Sequence, residues 1–372
     1  MKRFASLRIT AVLVAAVLVL ALAACATDDM PTFDLFLITD VGTIDDRSFN
    51  QGSWEGLVAF AHANDITYMY LQPAGQTDAA FLDAVDLAVQ SGARVIVAPG
   101  FLFEFAIYTA QERYPDVHFI LIDGVPNDGN WGAPTGPNFH VAPNTVAVLY
   151  AEEEAGFLAG YAAVMDGFTR LGFMGGMAVP AVVRFGYGFL QGADYAALQL
   201  GIDDIVVNYH YTGAFVPSPE ALTLAGSWFN DGVEVIFACG GGMGLSVFQA
   251  AEMAGGRVIG VDIDQSFESD TIITSALKGL SESVYYIISR FYQNTFPGGE
   301  TLVMRAANHG VSLPMETSRF ERFTVEQYEA IFQRLVRGEI SIVPDTLPGP
   351  DGTPVTVTLD DVPLVVTTVI EF

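Results

Sequence analysis

The chain has 372 residues, 51% of them hydrophobic and 12% aromatic, with a mean hydropathy of +0.38, which excludes disorder, coiled coil or fibrous repeat as its main state. Sixteen basic residues face 43 acidic ones, a formal charge of −27, and no Lys/Arg cluster follows the N-terminal segment, so nucleic-acid binding is excluded. At roughly 100–200 residues per domain the length predicts two globular domains.

Lys2, Arg3 and Arg8 precede an apolar run over residues 9–24 that ends at Cys25. The run is short for a membrane-spanning helix and suits the apolar region of a signal peptide. Leu22-Ala23-Ala24-Cys25 resembles a bacterial lipobox, in which the cysteine is lipidated and becomes the first residue; an uncleaved anchor with an incidental cysteine is the alternative. The reading is therefore a signal peptide over 1–24, a tether over 25–32, and a protein lipid-anchored through Cys25 on the extracytoplasmic face of the cell membrane. Removing residues 1–24, with three basic residues and no acidic ones, leaves 13 basic against 43 acidic residues and a single lysine, Lys278. Cys239 is then the only thiol besides Cys25, so no intramolecular disulfide forms without Cys25. The five histidines (62, 118, 140, 210, 309) show no metal-ligand spacing, and no metal or cofactor is expected.

Beyond the tether, short apolar runs alternate with helical patterns. Strands are predicted at 33–39, 66–71, 94–98 and 117–122, with helices over 50–64, 78–91 and 103–113 between them. A Gly/Pro/Asn-rich break covers 124–145. Alternation resumes with helices over 151–165, 182–200, 218–231 and 245–254 and strands at 170–175, 204–209, 233–238 and 257–261. These are two successive doubly wound α/β units, each with a parallel sheet covered on both faces. A segment at 271–275, a long helix, a strand near 304–311 and a helix over 324–336 follow. The tail from 340, with Pro344, Pro348, Pro350, Pro354 and Pro363 among β-branched runs, reads as extended edge structure.

In open α/β sheets ligands bind at the carboxyl ends of strands, and four loops there are unusually polar or glycine-rich. The first, residues 39–51, carries Asp40, Asp45, Asp46, Phe49 and Asn50; helix capping by Asp46 or Ser48 is its plainer role. The second is Cys239-Gly240-Gly241-Gly242-Met243-Gly244, which lets backbone approach a ligand but lacks the spacing of a nucleotide-binding loop. The third, Gly260-Val261-Asp262-Ile263-Asp264-Gln265, offers carboxylates to hydroxyl groups. The fourth, Thr274-Ser275-Ala276-Leu277-Lys278, holds the lone lysine, whose alternative is an ordinary surface position. Nucleophilic catalysis finds no support, since neither G-x-S-x-G nor H-E-x-x-H occurs.

Taken together, these loops resemble the basic membrane protein (BMP) family of substrate-binding lipoproteins serving ABC importers, whose best understood members resemble purine-nucleoside receptors. The residues that carry the likeness are Asp40-Val41-Gly42-Thr43-Ile44-Asp45-Asp46-Arg47-Ser48-Phe49-Asn50-Gln51 with Trp54-Glu55-Gly56, Glu153-Glu154-Ala155-Gly156-Phe157-Leu158-Ala159-Gly160, and Gly172-Phe173-Met174-Gly175-Gly176-Met177. Pro180, Arg184-Phe185, Gly188-Phe189 with Gln191-Gly192, and the second, third and fourth loops continue it over about residues 33–340. Arg47 stands where lysine is usual, in a turn expected to be solvated.

The resemblance implies a type I periplasmic-binding-protein fold, with two α/β lobes joined by hinge strands around a cleft. The lobes are drawn as 33–144 with about 274–300, and 145–273 with about 301–340, leaving 341–372 as the tail. It further implies that Phe49 and Phe215 sandwich a purine, that Asp40 and Asn50 bond its edge with Asp46 nearby, and that Asp262 and Lys278 hold ribose hydroxyls while Gly241 and Gly242 let the backbone close in. The implied protein is a monomer that captures a nucleoside and delivers it to an ABC transporter permease. A different small ligand (a sugar, another heterocycle or a signalling molecule) and an exported nucleoside hydrolase using Asp45 or Asp46 with calcium are the alternatives.

Overall fold

The computed structural model describes residues 32–133, 136–348 and 354–372. The expected signal segment, the lipobox and Cys25 lie outside the described residues.

Two mostly parallel sheets form the frame. The first contains β1 (Leu35–Ile38), β2 (Tyr68–Leu71), β3 (Val95–Pro99), β4 (His118–Ile122), β5 (Thr145–Tyr150) and β11 (Thr301–Met304), in the order β11-β5-β4-β3-β1-β2. The second contains β6 (Arg170–Gly175), β7 (Ile205–Tyr211), β8 (Val235–Cys239), β9 (Arg257–Asp262), β10 (Ile272–Lys278), β12 (Val311–Ser312) and β15 (Thr367–Glu371), in the order β12-β10-β9-β8-β6-β7-β15. Every pairing in both sheets is parallel except that of β10 with β12. The central strands are continuous apolar runs such as Leu-Phe-Leu-Ile in β1 and Val-Ile-Val-Ala-Pro in β3, because both of their faces are buried.

In the first lobe, α1 (Phe49–Asn64) and α8 (Leu280–Tyr292) pack together on one face. The opposite face is covered by α2 (Asp78–Gln90) and α3 (Glu104–Arg113). In the second, α6 (Pro219–Asn230) and α7 (Gly244–Ala254) cover one face, and α4 (Glu152–Met165) with α5 (Pro180–Leu200) the other. Helix α9 (Val325–Val336) rests against α4. The α4–α5 contact depends on facing glycines. A Cβ on Gly156 or Gly160 would collide with the carbonyl oxygens of Phe185 and Phe189, and one on Gly188 or Gly192 with those of Glu153 and Phe157.

Strand membership differs from the lobe boundaries expected from sequence in three places. Residues 145–150, expected in the second lobe, form β5 and pair with β4 in the first sheet. Residues 274–278, expected in the first lobe, belong to β10 and pair with β9 in the second sheet. Residues 301–304 return to the first sheet beside β5. The chain crosses between a strand and the next helix, at 151 and 279, and an apolar strand pattern does not record which sheet it joins.

The C-terminal tail straps the second lobe. β13 (Thr346–Pro348) and β14 (Pro354–Thr356) make an antiparallel hairpin, and β15 lies parallel on β7 as the seventh strand. Val357 and Val362 pack on Tyr187 of α5, and the Asp194 carboxylate accepts the backbone N–H groups of residues 365, 366 and 367.

Candidate functional site

The carboxyl ends of both sheets face a cleft of about 780 Å³, its open mouth included. All nine residues expected to bind ligand line it: Asp40, Asp46, Phe49 and Asn50 from the first lobe, and Phe215, Gly241, Gly242, Asp262 and Lys278 from the second.

The first loop is ordered by its own carboxylates. Asp46 caps α1, its two oxygens accepting the backbone N–H groups of Ser48 (2.9 Å), Asn50 (3.0 Å) and Gln51 (3.1 Å). Ser48, the other capping candidate, donates its hydroxyl across the cleft to Asp262 instead. The Asn50 amide nitrogen is held between Asp40 (3.0 Å) and Asp46 (2.9 Å), while Asn50 Oδ1 is buried with no partner. An orphaned acceptor inside a cleft is costly until a donor reaches it. Burial pushes the Asp40 carboxyl above its usual range against the pull of the Asn50 and Gly42 bonds. Gly100 permits this arrangement: its φ is +118°, and a Cβ there would stand 2.6 Å from Asp40 Oδ2.

On the second lobe the triple-glycine turn accepts the Phe215 segment, with Met243 N–H donating to Phe215 O at 3.2 Å. A side chain on Gly176 would meet the Phe215 ring at 2.5 Å, so that glycine makes room for it. Asp262 closes β9 at φ +67°, a conformation aspartate tolerates better than most residues, and Asp123, directly after β4, repeats it at +57°. Lys278 is buried, not a surface lysine. Its ammonium stands between Asp123 (2.5 Å) and Glu152 (2.9 Å), with the rings of Phe49, Tyr150 and Phe185 at 5.0, 5.3 and 5.4 Å. Burial would release its proton, but the carboxylates of Asp123, Glu152 and Asp262 hold it charged and raise its pKa. Asp123 is raised by its own burial, Lys278 opposing.

Contacts close the cleft across its mouth. Arg47, expected in a solvated turn, pairs with Glu268 at 2.8 Å, and its carbonyl accepts the Gln265 side-chain N–H at 2.7 Å. With Ser48–Asp262 these join the first loop of one lobe to the third loop of the other and to Glu268 just after it.

Sequence reasoning missed Asp123, Phe101 and Phe185 in the lining, and Glu152 behind Lys278. Asp123 was findable, because it ends Phe119-Ile120-Leu121-Ile122 as Asp40 ends β1. Glu152 carried no signal within the run Glu152-Glu153-Glu154. Asp45 lies exposed outside the lining, and among the described residues no group of three His, Cys, Asp or Glu could hold a metal ion.

Two α/β lobes with a polar and aromatic cleft at their strand ends define the type I periplasmic-binding-protein fold. The solved structures that resemble it agree: an ABC transporter solute-binding protein from Aeropyrum pernix K1 superposes with a TM-score of 0.72 at 24% identity, covering 86% of this chain and 95% of that one. One from Conexibacter woesei gives 0.65 at 21%, covering 84% and 99%. The chain belongs to the Bmp family, described as ABC transporter substrate-binding protein PnrA-like, whose family model matches residues 34–346. Relatives include the ABC transporter nucleoside-binding protein BmpA of Lactococcus lactis, 28% identical over 308 residues that make up 77% of this chain and 82% of that one. Basic membrane protein B of Borreliella burgdorferi is 27% identical over 303 residues, 79% of this chain and 84% of that one. The protein is thus a substrate-binding component of an ABC transporter, a family of extracytoplasmic binding proteins rather than enzymes. No described helix is long and apolar enough to cross a membrane.

Proposed function

We propose that the cleft binds a purine nucleoside and hands it to the transporter's permease. The observation that carries this reading is the convergence of Phe49 and Phe215, one from each lobe, on a cleft that also holds Asp40 and Asn50 from the first lobe and Asp262, Lys278 and Asp123. A flat heterocycle between the rings presents its edge to Asp40 and to the orphaned Asn50 oxygen, and a ribose presents hydroxyls to Asp262 and Lys278. Because it touches both lobes, the ligand favours the closed arrangement joined by Arg47–Glu268. Four lining carboxylates against one ammonium disfavour a phosphate, so the ligand is a nucleoside rather than a nucleotide.

The reading includes a signal peptide over residues 1–24, a lipid on Cys25 holding the protein at the outer face of the cell membrane, and action as a monomer. A thermal-shift panel on the chain from Ala26 onward tests the ligand. A purine nucleoside at about 100 times its dissociation constant adds ~2.7 kcal/mol of stability, a rise of several degrees, whereas ribose and nucleoside monophosphates give none. A rise with sugars alone contradicts the nucleoside reading.

A further inference from the structure

Five ionisable side chains form one unbroken series from the cleft to the C-terminal strap. Asp123 pairs with Lys278 (2.5 Å), Lys278 with Glu152 Oε1 (2.9 Å), Glu152 Oε2 with Arg184 Nε (2.6 Å), and Arg184 Nη1 with Asp345 (3.4 Å). No member exposes more than 17% of its side chain. Acids and bases alternate, three against two, so each interior charge is shared between two neighbours. Asp345 lies one residue before the end of the family match, and the strap that follows lies beyond it.

The two oxygens of Glu152 divide between Lys278 and Arg184, and Arg184 divides between Glu152 and Asp345. Each position therefore depends on the next. If Asp345 loses its charge, the guanidinium is free to turn its fork wholly onto Glu152. That draws the carboxylate from Lys278 and leaves the ammonium to Asp123 alone. Uncharged bonds hold the strap independently: Gln191 exchanges two bonds with the Val343 backbone, each 2.9 Å, and the Tyr187 hydroxyl donates to Val357 O at 3.2 Å. The strap can thus stay docked while the charge series is cut.

We propose that Arg184 and Asp345 are positioning residues of the ligand site: acting through Glu152, they fix where the Lys278 ammonium stands, which makes the C-terminal strap part of the binding apparatus. The consequence for affinity rests on the nucleoside reading above, while the consequence for Lys278 itself does not.

Lys278 is the only lysine after residue 24, so the chain from Ala26 onward, which contains every described element, gives a single side-chain signal when labelled with ¹³C-lysine. The expected results are that Asp345→Asn shifts the Lys278 ε-methylene resonance and weakens inosine binding about tenfold, that Asp345→Glu restores both, and that Tyr187→Phe, which loosens the strap without touching the charges, changes neither. Arg184→Gln, which removes the fork and leaves Lys278 the single labelled lysine, shifts the resonance as well and serves if Asp345→Asn does not fold. An unmoved resonance in either variant overturns the proposal, as does an equal shift in Tyr187→Phe. If inosine moves no signal in the parent chain, the nucleoside reading fails, and the Asp345→Asn and Arg184→Gln spectra still decide the positioning role.

Discussion

Glu153 carries a carboxyl near the point where the chain crosses between lobes, and its Oε2 is buried with no hydrogen-bond partner. Burial, reinforced by the neighbouring charge of Glu152, pushes it from its ordinary value near 4.5 to about 7. Between those values the folded chain keeps a proton that the unfolded chain has released, so this residue makes stability fall as pH rises from about 4.5 through 7. Glu153→Gln removes the effect: the variant should exceed the parent by up to about 3 kcal/mol at pH 8, with little difference near pH 4.5. Urea unfolding at both pH values reads this directly, and parallel pH profiles for the two proteins would show that Glu153 titrates normally. Lys278 makes the opposite case, a charge kept in the interior because two carboxylates flank it. Its isolation as the last lysine drew attention in the sequence, but burial and partners were not legible there, because Asp123 and Glu152 lie 155 and 126 positions away.

The α4–α5 pair is held by four glycines whose absent side chains let one backbone rest on the other. Gly160→Ala puts a methyl group against the Phe189 carbonyl, and neither helix can yield without disturbing the sheet beneath. The expected cost is about 2 kcal/mol, seen as a melting temperature lower by several degrees; an unchanged melting temperature would mean that the helices separate freely. Elements of this kind were legible in type, since parallel strands buried on both faces read as apolar runs and three of the four flagged loops fell at strand ends as topology requires; the fourth, residues 274–278, is instead the end of strand β10 itself. Their assignment to lobes was not. β5, β10 and β11 each joined the sheet opposite to the one expected, because hydrophobic pattern reports burial and not partner. The Gly156/Gly160 and Gly188/Gly192 pairs stood in the segments that carried the family likeness, yet their meaning as a helix contact needed both helices in view. Arg47 is exposed, as expected, but its bridge to Glu268 was not legible for a related reason: the partner belongs to the other lobe.

For the molecule as a whole, a charge of −27 on a compact body opposes folding through its own repulsion. Salt screens exposed charges over about 10 Å at 0.1 M, so the melting temperature should rise between 10 mM and 0.5 M sodium chloride, and a flat or falling curve in a thermal scan would show that internal ion pairs outweigh the surface. The same excess of acid extends into the cleft, where Asp40, Asp46, Asp123 and Asp262 surround one lysine, and it turns a two-lobed binding fold toward uncharged heterocycles. That selectivity, with the aromatic pair, is the central claim. Calorimetric titration of the chain from Ala26 onward with inosine and inosine monophosphate, repeated on Phe49→Ala, tests it most directly. The account predicts saturable one-to-one binding of inosine, a loss of at least about tenfold in affinity on removing the Phe49 ring, and no binding of the monophosphate. Inosine affinity unchanged in Phe49→Ala, or a monophosphate bound as well as the nucleoside, would contradict it.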